Sequence, residues 1–484
     1  MKKQLKSKKY SLFEAPSLQD AKLRKKHEIE NIIFAIDPKY QNIGINKTYM
    51  VKTYGCQGNI ADSEKICGIM DALGFLEVKE EKDADVLFLN TCAIRENAEN
   101  RIYGELGRLY PLKAKNNNML IALCGCMPQE EVTVKNIKEK YPQVDIVFGT
   151  HNIYKIPTYI YDAYNESKRV LEVLSYEGDI VEGIPLKRGS NVKAWVDIMY
   201  GCDEFCTYCI VPYTRGTERS RRHEDIINEV KDLVNKGYIE VTLLGQNVNA
   251  YGKDLKDENY SFANLLEDLA KTGIKRIRYT TSHPRDLDKE TMDVMAKYKN
   301  IMPHLHLPVQ SGSNEILKKM NRKYTKEMYL EKVEYLKKVI PGISLTTDII
   351  VAFPNESEED FEATLDLVRK VDFEGAYTFI YSKRKGTPAA TYDNQIDPVT
   401  AKRRLLTLNK LINEGFAKGN KRFEGETLEV LVEGYSEAKN HLLCGYTENN
   451  KLVNFEGDES LIGKLVNVKI TKAFTWHLRG EIIK

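Results

Sequence analysis

From about residue 47 onward, apolar positions fall into two alternating rhythms. Short apolar runs at Tyr49–Thr53, Val86–Leu89, Met119–Leu123 and Asp145–Phe148 read as strands, and stretches between them, such as Asp62–Leu73 and Glu96–Leu109, carry helical spacing. Strands that alternate with helices predict a parallel α/β sheet. A polar, irregular stretch follows at about 166–187. A longer series of the same kind then begins at Lys193–Met199, with strand candidates at Glu240–Leu244, Arg276–Thr280, His304–Pro308, Ser344–Val351 and Gly375–Ile380. Helical segments such as Glu224–Lys236 and Lys326–Val339 separate most of them. Six β/α units without a clear seventh or eighth predict a partial (β/α)6 barrel. From about residue 421 the rhythm changes to short strands with Gly-containing turns, at Leu428–Val432, Leu442–Tyr446, Leu465–Ile470 and Arg479–Ile483, which predicts a small β-barrel. The expected organisation is a basic N-terminal extension (1–46), a parallel α/β sheet domain (47–165), a central partial barrel (188–418) and a C-terminal small β-barrel (421–484).

Composition narrows this picture. A chain of 484 residues is too long for one ordinary core and calls for two to four domains. Hydrophobic residues make up 42% and charged residues 29%, which fits a globular protein in water. No run of about 18–20 apolar residues occurs, so no membrane-spanning helix is expected. The Lys-rich N-terminus has no apolar core of a secretory signal, so a cytoplasmic location and no membrane partner are expected. The net charge of +2 argues against a wholesale polyanion binder, so any nucleic-acid contact must come from local patches. Lys2, Lys3, Lys6, Lys8, Lys9, Arg24, Lys25 and Lys26 make the first segment basic; it reads as a solvated tail, with an RNA-steering arm as the alternative. Nine cysteines, an odd number in a large chain without a signal, point to metal binding or catalysis rather than a disulfide scaffold.

Three of them stand in Cys202-Asp-Glu-Phe-Cys206-Thr-Tyr-Cys209, just past the first barrel strand, at the end where barrel chemistry sits. Three thiolates on a 4Fe–4S cluster leave one iron open to a substrate, whereas a fourth would close it. A zinc knuckle is the competing reading; it would want a fourth Cys or His, and His223 is the nearest candidate. This C-x-x-x-C-x-x-C loop on a partial barrel resembles the radical S-adenosylmethionine (SAM) superfamily. The resemblance implies that the open iron chelates SAM, which is cleaved to a 5′-deoxyadenosyl radical that takes hydrogen from an unactivated carbon. It also implies a reductant protein such as flavodoxin or ferredoxin.

A second set is scattered: Cys56 in Tyr-Gly-Cys-Gln-Gly-Asn, Cys92 in Asn-Thr-Cys-Ala-Ile-Arg and Cys126 in Cys-Gly-Cys-Met-Pro-Gln. Each lies just past the carboxyl end of a predicted parallel strand, where ligands bind in open α/β sheets. Buried cysteine as a small hydrophobe is the competing reading. Together with Asp-Ser-Glu at 62–64, these phrases resemble the N-terminal domain of the methylthiotransferase family, and the likeness runs from 47 to 484. It implies that Cys56, Cys92 and Cys126 hold an auxiliary 4Fe–4S cluster concerned with the sulfur; the family phrase Gly-Cys-Met selects Cys126 over Cys124. Cys67, Cys124 and Cys444 then remain as structural cysteines. The C-terminal segment resembles the TRAM domain, a small RNA-binding barrel.

The remaining candidates are polar residues at barrel strand ends. Gln246, Asn247, Ser282, His283, Gln310, Ser311 and Asp348 form a candidate lining for SAM and substrate, although each alone suits a turn equally well. Tyr208, inside the cluster loop, is a candidate to pack on the adenine. Arg215, Arg219, Arg221 and Arg222 are candidate phosphate contacts, with a solvated surface patch as the alternative. Phe474, Trp476, His477 and Arg479 are candidates to stack on unpaired bases, unless the barrel core claims the aromatics. On the fifth barrel strand the family's usual Val-Gly-Phe-Pro-Gly-Glu reads Val351-Ala352-Phe353-Pro354-Asn355-Glu356. Both changes replace Gly, so the backbone either avoids positive φ there or tolerates Asn in it.

The phrases Leu243-Leu-Gly-Gln-Asn-Val-Asn-Ala-Tyr-Gly252 and Val211-Pro-Tyr-Thr-Arg-Gly216, with the long N-terminal extension, resemble the methylthiotransferases that act on N6-isopentenyl-adenosine next to the anticodon of tRNA. Methylthiotransferases for threonylcarbamoyl-adenosine or for a ribosomal-protein aspartate are the enzyme alternatives. A metal-stabilised RNA-binding adaptor is the non-enzyme alternative. Absorbance of the anaerobically purified protein distinguishes the last, since a zinc adaptor is colourless and a two-cluster protein is brown.

Overall fold

The computed structural model describes residues 30–483 apart from 94–95, 167–168, 175–177, 256–258 and 438; the basic tail over residues 1–29 lies outside the described residues. Two compact units divide the chain. The first runs to residue 189 and takes in 200–203 and 209–219, and the second holds the rest.

In the first unit a six-stranded parallel sheet is built from β1 (Thr48–Tyr54), β2 (Leu76–Glu77), β3 (Val86–Thr91), β4 (Leu120–Gly125), β5 (Ile146–Phe148) and β6 (Val170–Glu172), in the order β2-β1-β3-β4-β5-β6. The central strands β3 and β4 are buried at every position, as a parallel sheet covered on both faces requires. One face packs Leu87, Leu89, Leu123 and Val147 against helices α2 (Glu96–Lys115) and α3 (Glu131–Lys140). The other packs Val86, Phe88, Ala122 and Phe148 against α1 (Gln57–Ala72) and α4 (Ile156–Asn165). The register pairs Tyr54 with Thr91 and Thr91 with Gly125, so the carboxyl ends of β1, β3 and β4 stand level. The stretch read as irregular supplies β6 and Ile180–Glu182, and the latter pairs in parallel with Asn31–Ile33, so the part of the 1–46 extension that is described is folded onto this unit, with Tyr40 in its core, rather than a solvated tail. β2, of two residues, is too short to leave a period, and β6 is a three-residue strand preceded by polar residues.

In the second unit the six expected parallel strands are β7 (Lys193–Asp197), β8 (Glu240–Leu244), β9 (Arg276–Tyr279), β10 (His304–His306), β11 (Ser344–Val351) and β12 (Ala376–Ile380). They form two three-stranded sheets, β9-β8-β7 and β10-β11-β12, and a single bridge from Ile277 to Ile301 links them ahead of β10. Helices between the strands cover the outside with one large core that includes Val196, Val241, Leu243, Ile277, Leu305, Leu345 and Ile349. β11 alternates: Leu345, Thr347, Ile349 and Val351 are buried, while Thr346, Asp348 and Ile350 on its other face are only partly so. β12 is the last strand, and its Tyr377, Phe379 and Ile380 are exposed.

The tail forms a closed five-stranded barrel in the order β13-β14-β15-β17-β16, from β13 (Thr427–Ser436), β14 (Lys439–Thr447), β15 (Leu452–Phe455), β16 (Leu465–Ala473) and β17 (Leu478–Ile482). Closure removes every edge, and the interior is filled by Val430, Val432, Leu443, Val453, Phe455, Val468, Ile470 and Leu478. Two buried arginines of β9 hold it. Arg276 donates to the carbonyls of Tyr446 and Glu429, and Arg278 to those of Thr447 and Glu448. Among the described residues no helix is long and apolar enough to cross a membrane.

Candidate active site

Cys56, Cys92 and Cys126 come immediately after β1, β3 and β4, three neighbours in the sheet with level ends. The local sequence forces this convergence. Gly125 has a φ of 95°, and a Cβ there would meet the carbonyl oxygen of Thr91 at 2.3 Å, so only glycine lets β4 turn so close to β3 and deliver Cys126. Behind the turn, Asn59 and Asn90 bind each other's polar groups, with Asn59 also donating to the Thr91 carbonyl at 3.1 Å and Asn90 to the Ser63 hydroxyl at 2.9 Å.

Cys56 occupies the N-cap of α1, where the helix dipole favours a thiolate. Its hydrogen bond with Cys92 draws its pKa below the ordinary thiol value, and the charge of Arg215 adds to the effect. Burial pushes Cys126 up to about 11, partly opposed by Arg215, whose Nε lies 3.2 Å from the Cys126 Sγ. Three thiols at one sheet edge beside a buried cation are a donor set that fits an anionic iron–sulfur centre.

The neighbouring thiols differ. Cys124 is fully buried in the core beside Phe88 and Ala122, with its sulfur 3.7 Å from the Leu89 carbonyl, and burial pushes its pKa well up. Cys67 lies inside α1 and burial raises it to about 12. Cys444 sits on β14, also raised by burial. None of these three stands at a helix cap, and in each burial outweighs the nearby charges.

Cys202, Cys206 and Cys209 follow β7 on one loop. Phe205 within it is exposed at 38% and holds a φ of 45°, a conformation a bulky residue adopts only when its surroundings impose it. Asn321 donates to the carbonyls of Glu204 and Phe205, the Thr207 amide donates to the Met320 carbonyl, and the Arg322 guanidinium lies 3.4 Å from the Cys206 Sγ. His223 stacks on Tyr260 with ring centroids 4.1 Å apart, and its Nε2 lies 3.4 Å from the Glu224 carboxylate. Tyr208 is half-buried in a satellite cluster, edge-on to Phe353.

The loops after β8 and β9 carry a set of buried polar atoms that have no hydrogen-bond partner among the described residues: Asn247 Oδ1, both amide atoms of Asn249, Ser282 Oγ and His283 Nε2. Glu204 Oε2 in the cluster loop joins them. Two of these atoms, His283 Nε2 and Glu204 Oε2, face each other at 3.6 Å; buried polar groups are almost always satisfied, so the set is suited to meet water or a polar ligand. Glu204, His283 and Asp286 bring ligand atoms within 4.8 Å of one another, yet Arg285 pairs with both carboxylates and Lys253 with Asp286. Two cations already occupy the place of a metal ion, so the group is a charge network that holds the loops.

Gln310 has a φ of 67° and its amide donates to the Asp348 carbonyl; Asp348, on the less buried face of β11, lies 3.4 Å from His306 Nε2. Gln246 is half-buried and Ser311 fully buried. His306, Asn249 and Glu204 escaped the sequence reading, although His304-Leu-His306 and the Asn-Val-Asn run at 247–249 stand beside residues that it picked.

The arginines after the cluster loop separate by burial. Arg215, Arg219 and Arg221 are buried. Arg215 pairs with Asp62 at 2.8 Å, Arg219 reaches the Arg215 carbonyl, and Arg221 pairs with Glu229 at 2.8 Å, so these three serve the protein's own groups. Arg222 is exposed and remains a candidate for phosphate. On the C-terminal barrel, Trp476 is exposed at 60% and rests against Phe416, Phe474 stacks on His477, and Arg479 is exposed.

Six parallel strands with intervening helices, in two three-stranded sheets joined by one bridge, with three cysteines on the loop after the first strand, preceded by a cysteine-edged parallel sheet and followed by a small closed barrel, define a radical SAM protein with an accessory N-terminal domain. The radical SAM superfamily profile matches residues 196–368, that of the uncharacterized protein family UPF0004 matches 48–149, and that of the TRAM domain matches 421–483. The tRNA-2-methylthio-N(6)-dimethylallyladenosine synthase of Geobacillus thermodenitrificans is 54% identical over 98% of this chain and 90% of its own length. That of Bacillus subtilis is 53% identical over 97% and 92%. The chain belongs to the tRNA-2-methylthio-N(6)-dimethylallyladenosine synthase family. Among solved structures, the radical S-adenosylmethionine methyltransferase TsrM from Kitasatospora setae, with cobalamin and a 4Fe-4S cluster bound, is alike in fold, with a TM-score of 0.51 at 14% identity over 71% of this chain and 74% of its own.

Proposed function

We propose that this protein converts N6-dimethylallyladenosine, next to the anticodon of tRNA, to its 2-methylthio form. One observation carries the reading: two cysteine trios, each at the carboxyl ends of parallel strands, in a chain that matches the synthases over nearly its whole length. Cys202, Cys206 and Cys209 hold one 4Fe–4S cluster, and Cys56, Cys92 and Cys126 hold the other. With SAM, these clusters supply the radical chemistry that replacing hydrogen on the unactivated C2 of adenine demands.

The protein's own residues bind and orient. Asn247, Asn249 and Ser282 offer the unsatisfied polar atoms that a charged, amphoteric ligand such as SAM would meet, beside the facing pair His283 and Glu204. Burial and the charges of Arg322 and Arg285 keep His283 well below its ordinary pKa, so it is neutral at pH 7 and can accept a hydrogen bond as well as donate one. Asp348 and His306 line β11 and β10 as candidate substrate contacts. An anticodon loop is single-stranded, and its bases splay out at small cost onto surfaces such as Trp476, Phe474 and Arg479. The electron comes from a small reductant protein such as flavodoxin or ferredoxin.

Reconstituted enzyme incubated with SAM, reductant and tRNA bearing either modification tests the substrate. Mass spectrometry of the nucleosides is expected to find methylthiolation of the dimethylallyl form; methylthiolation of only the threonylcarbamoyl form, or of neither, overturns the proposal.

A further inference from the structure

Arg215 is anchored in an unusual place for a cation. It closes the short helix α5 (Val211–Thr214), whose first turn carries Pro212, and its side chain runs into the first unit's interior with almost no exposure. There its guanidinium makes two contacts of opposite kinds. Nη2 pairs with the Asp62 carboxylate at 2.8 Å, which fixes the plane of the fork, and Nε points at the sulfur of Cys126 at 3.2 Å. The same guanidinium borders Cys56: a Cβ at Gly58 would stand 3.5 Å from Arg215 Nη2 and 3.6 Å from Cys56 Sγ. The apolar residues packed with Cys126 are Ala93, Ile210 and Tyr213, which offer a thiolate no positive charge. One buried positive charge therefore serves two of the three thiols at the sheet edge, and Asp62 limits how much of that charge they feel.

We propose that Arg215 is a positioning residue of the Cys56–Cys92–Cys126 centre, which directs Cys126 through an N–H···S hydrogen bond and, balanced by Asp62, sets the reduction potential of the cluster they hold. The inference rests on the proposed auxiliary cluster. Its physical basis is general: hydrogen bonds to ligand sulfurs and net charge near a cluster raise its potential, because the reduced form carries one more negative charge. Removing the guanidinium must then favour the oxidised cluster, and removing the Asp62 charge must favour the reduced one. A purely structural arginine predicts no such opposition of signs.

The test uses the full chain with Cys202, Cys206 and Cys209 replaced by Ala, so that a single cluster remains, and reads iron content and the midpoint of an EPR-monitored redox titration. The parent is expected to hold about four irons. Arg215→Gln is expected to move the midpoint downward, Asp62→Asn upward, and Arg215→Lys to fall between Arg215→Gln and the parent. An unchanged midpoint in Arg215→Gln at full iron content overturns the inference, as does a shift of the same sign in both variants. Should Arg215→Gln lose its iron, Asp62→Asn decides: a midpoint equal to or below the parent's overturns the proposal. A parent without iron refutes the auxiliary-cluster reading itself and the inference with it, whereas a normal iron content with wrong shifts refutes only the role of Arg215.

Discussion

Ala352 and Asn355 keep φ angles of 58° and 65° although both stand where glycine is usual in the family phrase, so the backbone geometry is held and the side chains bear it. The sequence left open whether the turn would avoid that region; the structure resolves it toward tolerance, because the Ala352 amide is held by Glu356 at 2.7 Å and Glu356 by Arg404 at 2.7 Å. Left-handed alanine costs about 1–2 kcal/mol, while Ala352→Gly would forfeit a buried methyl worth about 0.8 kcal/mol and add about 0.5–1 kcal/mol of chain entropy. That substitution is therefore expected to be nearly neutral. Ala352→Val has no offset, since a β-branched residue resists positive φ, and is expected to destabilise by about 2 kcal/mol or more in denaturant titration. Residue by residue, legibility followed chemistry that leaves a spacing. Cys202, Cys206 and Cys209 announce themselves in eight residues. Cys126 and Cys124 do not differ by spacing; they differ because one lies on β4 inside the core and the other just past its end, beside a cation drawn from a distant segment. The same distance explains Arg215: a run of arginines looks alike in sequence, and only burial tells an internal anchor from a surface contact.

At the level of elements, long uniform runs were readable, while among the short strands β5 and β10 showed and β2, β6 and β15 did not. β3, β4 and β11 carry enough consecutive apolar or alternating positions to declare themselves, whereas β2 and β15 pair with longer neighbours that offer them hydrogen-bonding edges. Charge adds a second fastening between β1 and α2 that no hydrophobic pattern reveals. Lys52 of β1 meets Glu105 of α2 and Glu81, and Arg108 closes the network on both carboxylates. Hydrogen bonding from Arg108, with Lys52 behind it, lowers Glu105 from 4.5 to about 2. A carboxylate held below its unfolded pKa stabilises the fold above about pH 4.5 and loses that contribution as pH falls toward 2. Glu105→Gln is accordingly expected to flatten the loss of apoprotein stability over that interval, read as denaturation midpoints at successive pH values. A slope equal to the parent's would show that the network contributes nothing.

For the whole molecule, the order of assemblies was legible because each has its own rhythm, and the joints between them were not. β9 looks like any buried strand, yet Arg276 and Arg278 on it reach into the C-terminal barrel, and Glu429 and Glu240 complete their pairing. Removing a buried donor of this kind leaves carbonyls unpaired at about 1–3 kcal/mol each, so Arg276→Ala is expected to destabilise by about 2–4 kcal/mol and to expose the segment around Lys421 to limited proteolysis. Unchanged digestion would mean that the barrel is held by other contacts.

The manner of that attachment has a consequence for how such a protein can change. Arg276 and Arg278 grip main-chain oxygens of Glu429, Tyr446, Thr447 and Glu448, and every residue but the side chain's identity supplies such an oxygen equally. These four contacts follow the barrel's backbone path, while the Glu429 carboxylate, 3.1 Å from Arg276, adds one that depends on a side chain. Substitutions on the barrel's outward face leave these main-chain contacts in place, so the chemistry of that surface can change without unseating the module.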